Sequence, residues 1–303
     1  MRNEWLSRAG ALTALIAASV GPIAAQDWRD FRAARQSADV ESMQVELLYG
    51  AGRLFVKPSG SSFLYDARIR YDTERFQPLR GWTIEGDRGH LRLALTSVGD
   101  ERGQATIRLE EWDLDFDFDD LRFRDDEAGE LNLELHPDVP TDLRLEIGAA
   151  ASRLDLGGLS LTSFELLTGA SKTEVVFGDP NRERMSELVF KVGAAEFDAS
   201  GLGNARFDRM EFVGAIGDVR LDFSGEWERS ATAEIKMGVG ELNLRVPREI
   251  GVRIERSSLL IALDAPGFTK VDRSYESENW NTAEIKLEIV LEAAFGAVEV
   301  ERI

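Results

Sequence analysis

The residues best suited to chemistry are the carboxylates of one strictly alternating run, residues 112–120. Its alternation predicts a strand with apolar side chains on one face. The opposite face would carry Asp113, Asp115, Asp117 and Asp119. Such a row offers oxygen ligands to Ca²⁺, but a flat strand converges poorly and no EF-hand pattern accompanies it. The favoured interpretation is a solvated, charged strand face that resists aggregation, with a calcium site as the alternative.

The other candidate catalytic groups are sparse. His90 and His136 are the only two histidines, they lie in separate segments, and the chain has no cysteine. Neither lies near a Gly-x-Ser-x-Gly turn, which argues against a Ser-His-Asp triad, and they do not form a zinc set of normal spacing. Among 55 acidic residues no glycosidase pair can be singled out. We expect a non-enzymatic protein without a catalytic residue, metal or cofactor; a carbohydrate-active enzyme on the same scaffold is the alternative.

The N-terminal segment and the charge of the chain predict its compartment and its partners. Arg2 and Arg8 flank an n-region, an apolar stretch follows at 9–20, and small residues precede Gln26, so residues 1–25 resemble a cleaved signal peptide. The formal net charge of −19 disfavours nucleic acid and anionic lipid as partners. No later segment is apolar enough to cross a bilayer. We therefore expect an exported protein, periplasmic or extracellular, with no membrane insertion after cleavage.

A repeat decides the architecture that positions these residues. Apolar positions alternate, a small or glycine-rich bend follows, and apolar positions alternate again. The bends recur every 19 to 24 residues, and looser copies bring the repeats to nine. The central bend residues are Gly148, Gly169, Gly193, Ala215, Gly238 and Ser257, and the looser ones are Gly50, Asp87 and Ala294.

This spacing favours an all-β, solenoid-like stack of strand-bend-strand repeats of about 22 residues over an antiparallel meander. Residues 27–39 are the segment for which we predict a short helix, and it would pack Trp28 and Phe31 as a cap on the first coil. The predicted organisation is a signal peptide (1–25), an N-terminal cap segment (26–43) and a single solenoid domain (44–303).

Several phrases resemble a known family. They include Leu47-Leu-Tyr-Gly-Ala-Gly-Arg-Leu54, Leu166-Leu-Thr-Gly-Ala-Ser171, Val176-Phe-Gly-Asp-Pro-Asn181 and Gly201-Leu-Gly-Asn-Ala205. These are similar to the toastrack domain, which occurs in adhesin-like proteins and at the C-terminus of LiaF-type envelope-stress regulators. The resemblance implies a β-solenoid-like fold, an envelope location and a role in adhesion or sensing. Unlike LiaF-type proteins, the chain lacks membrane helices.

The remaining candidates concern partners. Trp227, Tyr275 and Trp280 lie in or near polar connections, where each ring either folds back over a coil or anchors a partner. The polar insertion at 264–281 carries Tyr275 and Trp280, so it is the predicted partner surface, for an envelope protein or a glycan. Homo-assembly through the exposed ladder ends is a further expectation.

Overall fold

The computed structural model describes residues 27–36, 40–98, 129–257 and 261–303. The predicted signal peptide and the acidic run with Asp113, Asp115, Asp117 and Asp119 lie outside these residues. The described part is all-β, with a short 3-10 helix at Leu202–Ala205, and its strands form one sheet. The strands are β1 (Trp28–Gln36), β2 (Ser42–Pro58), β3 (Phe63–Asp72), β4 (Phe76–Glu85), β5 (Arg88–Ser97), β6 (Glu130–Leu135), β7 (Thr141–Asp155), β8 (Leu161–Thr168), β9 (Ser171–Val176), β10 (Met185–Ser200), β11 (Phe207–Asp222), β12 (Ala231–Val246), β13 (Gly251–Arg256), β14 (Ile261–Asp264), β15 (Phe268–Val271), β16 (Ser274–Ser277) and β17 (Lys286–Arg302).

Each long strand bends at the repeated small residue and therefore contributes to two ladders. In β12 the arm before the bend and the arm after it both pair in parallel with β11 on one side and β17 on the other. Its burial alternates along both arms, with the apolar side chains inward. The same arrangement in successive coils makes a bent stack with its core inside the angle, as the alternating apolar positions predict.

The bend residues lie above one another, as the repeat predicts. The register places Gly148 opposite Gly50, and Gly238 between Ala215 and Ala294. A Cβ on Gly169 would come within 2.9 Å of the carbonyl oxygen of Gly148 in the neighbouring coil. Small residues therefore recur because coils approach closely at this corner.

Two predicted bends are wrong: Ser257 lies opposite Glu292, two residues before the corner at Ala294, and Asp87 is not at a corner. Asp87 lies in the turn that joins the antiparallel strands β4 and β5, and the register of β5 with β2 instead brings Thr96 opposite Gly50. The alternation around Asp87 comes from two strands that meet at a hairpin, and a hairpin has the same local pattern as a corner.

The coils at both ends of the stack lie out of chain order. β2 lies between β7 and the coil built from β5 and β6, although that coil follows β2 in sequence. β17 lies between β12 and the coil built from β13 and β14, which precedes it. The long strands that are first and last in sequence, β2 and β17, are therefore paired with neighbours on both sides.

Residues 27–36 do not form the predicted helical cap. Trp28–Gln36 is strand β1, which pairs antiparallel with β3. It thereby extends the ladder formed by the arms that follow the bends. A spacing of three between Trp28 and Phe31 suits a helix, but pairing with an open strand edge satisfies the backbone and overrides that preference. Arg32 reinforces the pairing because its Nε and Nη2 donate to the Asp66 carboxylate at 2.9 and 2.8 Å.

The core of the middle coils is aromatic. Phe164, Phe190, Phe197 and Phe212 form a chain of rings with centroids 5.1–5.9 Å apart, and all four are fully buried. The connections between coils close the open side of the angle. Asn204 helps there, since its Nδ2 donates to the Phe177 carbonyl at 2.8 Å.

Candidate interaction surfaces

The outward charges of the middle coils pair from one coil to the next. Arg144 contacts Glu165, which also lies 3.4 Å from the Lys191 ammonium. On the other arm Lys172 pairs with Glu196 at 2.8 Å, and this hydrogen bond raises the pKa of Lys172. The partners are separated by about one repeat in sequence, so the stacking itself brings them together.

These ladders extend to the C-terminal coils. The Arg220 guanidinium lies 2.6 Å from the Asp198 carboxylate, and Arg245 joins Asp222 at 2.6 Å to Glu301 at 2.9 Å. The two carboxylates raise the pKa of Arg245, mainly through the hydrogen bond that its Nε donates to Glu301. These pairs neutralise part of the outward charge, whereas Glu211 and Asp218 lie opposite the acids Glu234 and Glu241.

The candidate chemical groups are not brought together. The His90 Nε2 lies 3.9 Å from a Glu85 carboxylate oxygen, whereas the Nδ1 of His136 accepts a hydrogen bond from the Asp138 N–H at 3.2 Å. Among the described residues no group of three or more histidine, cysteine, aspartate or glutamate side chains is placed to hold a metal ion. The calcium prediction for the acidic run is untested, since that run lies outside the described residues.

Trp280 folds back onto the stack. Its side chain is 5% exposed, and the Arg253 guanidinium and the Lys286 ammonium lie 4.3 and 4.9 Å from its ring centroid. This arrangement is a buried cation–π contact that secures the last coils. Trp227 also folds back, because its Nε1 donates to the Phe223 carbonyl at 2.8 Å.

Tyr275 lies on β16, in the hairpin that β15 and β16 form. This hairpin lies at the end of the ladder formed by the arms that precede the bends. It is half-buried and opposite Ile254 on one side and Lys270 on the other. The exposed part of this hairpin runs from Thr269 of β15 through the turn to Arg273. A partner that docks on the insertion would meet this turn before it meets Trp280. The partner role of Tyr275 and Trp280 stays a prediction.

A cleft of about 560 Å³ lies between this hairpin and the end of β17. Arg302 lines it and donates from Nη2 to the Arg248 carbonyl at 3.1 Å and to Asn279 Oδ1 at 3.3 Å. Burial and the neighbouring Arg248 lower the pKa of Arg302. Glu278 and Glu299 line the same cleft, so its charge is mixed and Arg302 acts as a tie between segments.

One surface feature was missed by sequence reasoning. Ile216, Val239 and Phe295 occupy the middle position of three adjacent corners and are 56%, 48% and 60% exposed. The N-terminal coils carry alanine at this position, as in Ala149 and Ala194. The signal was present in the corner tripeptides, where a large apolar residue between two small ones has no inward face to occupy.

The bent parallel stack with small corners defines a β-solenoid-like domain, and sequence comparison shows its family. The family described as the N-terminal domain of toast_rack, DUF2154, matches residues 25–198, more than half of the chain. The chain therefore belongs to the toast-rack family. No match was found among curated proteins.

Two solved structures are similar over most of the chain. A putative cell adhesion protein from Clostridium sporogenes ATCC 15579 is 16% identical, covers 91% of this chain and 100% of its own, and has a TM-score of 0.46. A putative adhesin from Bacteroides fragilis NCTC 9343 is 10% identical, with 92% and 98% coverage and a TM-score of 0.38. Likenesses this distant carry no functional information. In the described residues no helix is long and apolar enough to span a membrane.

Proposed function

We propose that the chain is an exported, non-enzymatic toast-rack module of the cell envelope that acts in adhesion, scaffolding or envelope-stress sensing. The observation that carries the proposal is the coil-to-coil pairing of outward charges. A glycosidase needs two carboxyl groups that converge on a sugar in a cleft. On the described faces of the middle coils, carboxylates such as Glu165, Glu196 and Asp198 instead face a basic side chain of a neighbouring coil.

Membership of the toast-rack family supports the same proposal, since the repeat motifs are structural. A regular stack whose outward charges are partly paired suits a spacer that presents its ends and corners to partners. The exposed turn of the β15–β16 hairpin is the surface that we propose for an envelope protein or glycan.

Export is tested by cell fractionation followed by intact-mass measurement. The full chain should reach the envelope or medium and lose residues 1–25, so that it begins at Gln26. Leu15→Arg, in the apolar stretch, should block processing because a charge there opposes engagement by the export machinery. A control such as Asn3→Gln, before that stretch, should be processed normally. Cytoplasmic protein of full mass from the unaltered chain would contradict export.

Binding without catalysis is tested with isolated cell-wall material and purified envelope polysaccharides. The protein should sediment with one of them and release no reducing sugar over many hours. Release of reducing sugar by protein purified from a host without such an activity of its own would overturn the non-enzymatic proposal. It would favour a carbohydrate-active enzyme.

The hairpin is tested in the same assay with a triple variant of its exposed turn, Lys270→Ser, Val271→Ser and Arg273→Ser. These side chains are exposed, so the fold should survive while retention falls. The matched control is Leu79→Ser with Arg80→Ser, an exposed pair on β4 at the other end of the stack. Equal retention by both variants would remove the hairpin as the partner surface.

A further inference from the structure

Ile216, Val239 and Phe295 form a continuous apolar ridge along one side of the C-terminal coils. The register pairs place Ile216 opposite Val239 and Val239 opposite Phe295, so the three side chains follow one another along the corner. Neighbouring strands are about 4.8 Å apart, so the ridge is about 10 Å long before side chains are counted. These are among the most exposed large apolar side chains of the described residues.

The fold does not require this ridge. Ala149 and Ala194 occupy the same corner position in other coils, and those coils stack in the same register. A large apolar residue at a corner gains no burial within the coil and leaves apolar surface in water, which is unfavourable. Three such residues in adjacent coils therefore point to a surface that is covered by something else.

The charges beside the ridge indicate what covers it. Lys236 precedes Val239 by three residues on one arm, and Glu241 follows it by two on the other. Several other charges on these arms pair between coils, as in Lys191 with Glu165 and Lys172 with Glu196. Within the described part of the chain, neither Lys236 nor Glu241 has an oppositely charged group within 4.0 Å. Lys236 and Glu241 are therefore free on opposite flanks of the ridge. Two further acids beside them, Glu292 opposite Lys236 and Asp218 opposite Glu241, are also free among the described residues.

We propose that the ridge is the interface of a symmetric dimer with a second copy of this chain. A two-fold axis parallel to the ridge lays Val239 against Val239 of the second copy. The same rotation exchanges the flanks, so each Lys236 faces Glu241 of the other copy. An axis perpendicular to the ridge would instead face lysine with lysine and glutamate with glutamate. The charges thus select the parallel axis and disfavour the perpendicular one.

The size of the ridge sets the strength of the dimer. Three side chains cover much less than the roughly 800 Å² per partner of a standard stable interface. The dimer should therefore be weak in dilute solution and form as the concentration rises. Its place on the side of the stack leaves both ends open to other contacts.

The first test is sedimentation equilibrium of the purified protein over a concentration series. The decisive variant replaces all three ridge residues by the residue of the other corners: Ile216→Ala, Val239→Ala and Phe295→Ala. Its dimer dissociation constant should rise by at least about tenfold, because the apolar contact is lost. A thermal melt checks the fold, and alanine at this corner in other coils favours its survival.

The control removes exposed apolar surface elsewhere, with Leu79→Ala and Ile84→Ala on the outer strand β4. This control should leave the dissociation constant unchanged. A monomer at every concentration, or weakening by the β4 variant alone, would overturn the ridge dimer, and the second result would place association at the ladder end. Binding to neutral lipid vesicles by a monomer that the ridge variant loses would also overturn it, in favour of a membrane occupant.

The second test addresses the two-fold axis through charge reversal. Lys236→Glu and Glu241→Lys should each weaken the dimer, because each places like charges opposite one another twice. The double variant should restore it, and so should an equimolar mixture of the two single variants. Failure of both restorations would reject the proposed axis.

The absence of cysteine allows an independent check. Val239→Cys introduces a unique thiol that the proposed axis places against its copy, so mild oxidation should yield a covalent dimer. Leu79→Cys, equally exposed on β4, should remain monomeric under the same conditions. Equal cross-linking of both variants would show random collision and contradict the interface.

Discussion

The middle of the stack and its two ends are built by different rules. From β7 to β12 the coils follow one another in space as they do in sequence, and all pairings are parallel. At the ends the order reverses, and antiparallel strands such as β1 and β16 close the ladders. The middle is thus held by repetition, whereas each end is held by particular side-chain contacts.

The difference has an energetic consequence. In a stack, each coil is stabilised by its own core and by its two neighbours, so damage to a middle coil removes two interfaces. A terminal strand has one neighbour and can open locally while the remainder stays folded. Substitutions in the middle should therefore lower global stability, and substitutions at an end should act mainly on local opening.

The largest effect is expected for Phe190→Ala in β10. Phe190 is fully buried and contacts the rings of Phe164 and Phe197, so its loss leaves a cavity at the centre of the aromatic chain. The free energy of unfolding should fall by about 3–5 kcal/mol in a denaturant titration. Phe190→Leu, which keeps most of the volume, should lose clearly less. An unchanged midpoint for the alanine variant would mean that the middle coils are not the cooperative unit.

The next effect is expected at the corner of β12, for Gly240→Ala. Gly240 has φ +141°, and a Cβ there would collide with the carbonyl oxygen of Gly217 in the neighbouring coil. Strain and overpacking together should cost about 2–4 kcal/mol, measured by the same titration. The control is Ala150→Gly at the corresponding position of β7, which should lose only about 0.5–1 kcal/mol. Similar losses for the two variants would show that the corners share one backbone conformation.

A smaller and local effect is expected at the N-terminal end, for Asp66→Asn. The Asp66 carboxylate accepts hydrogen bonds from Arg32 of β1 and from Arg68, and these lower its pKa. The opening free energy of β1, measured by amide hydrogen exchange, should fall by about 1–3 kcal/mol. Protection in β10 should not change. Loss of protection throughout the stack would contradict the distinction between ends and middle.

The same contact predicts the pH dependence of β1. A carboxyl group with a lowered pKa in the folded state contributes stability above its ordinary pKa of about 4, and this contribution is lost as the pH falls through the folded value. Exchange protection of β1 should therefore decline in acid before that of the middle coils. Asp66→Asn should abolish this early decline. An equal decline in the variant would assign it to other carboxylates.

The sequence predicts the middle better than the ends for the same reason. Gly148, Gly169 and Gly193 could be identified because each repeats one local geometry, and local geometry is written in local spacing. The sequence predicts a helix at β1 because its strand state depends on the open edge of β3, whose paired residues lie 27 to 44 positions further along the chain. The reversed order of β2 and β17 likewise depends on which edges are free, and alternation along one strand does not encode that choice.

The candidate surfaces show the same division. Tyr275 and Trp280 were singled out as aromatic residues in a polar insertion, but Trp280 is buried by Arg253 and Lys286 from two other strands. The sequence pattern does not indicate that the ridge residues are exposed, because a single apolar residue in a repeat is typical of the core. Only stacking shows that Ile216, Val239 and Phe295 are adjacent and outward.

The smallest effect is expected on the outer face of the middle coils, for Lys172→Ala. Lys172 and Glu196 are both largely exposed, and exposed ion pairs contribute little because water and salt screen them. The melting temperature should therefore stay within experimental error of the unaltered protein. Glu196→Ala serves as the partner variant and should behave alike. A loss comparable to that at Phe190 would mean that the charge ladders hold the coils together, and the middle would then depend on particular contacts as much as the ends do.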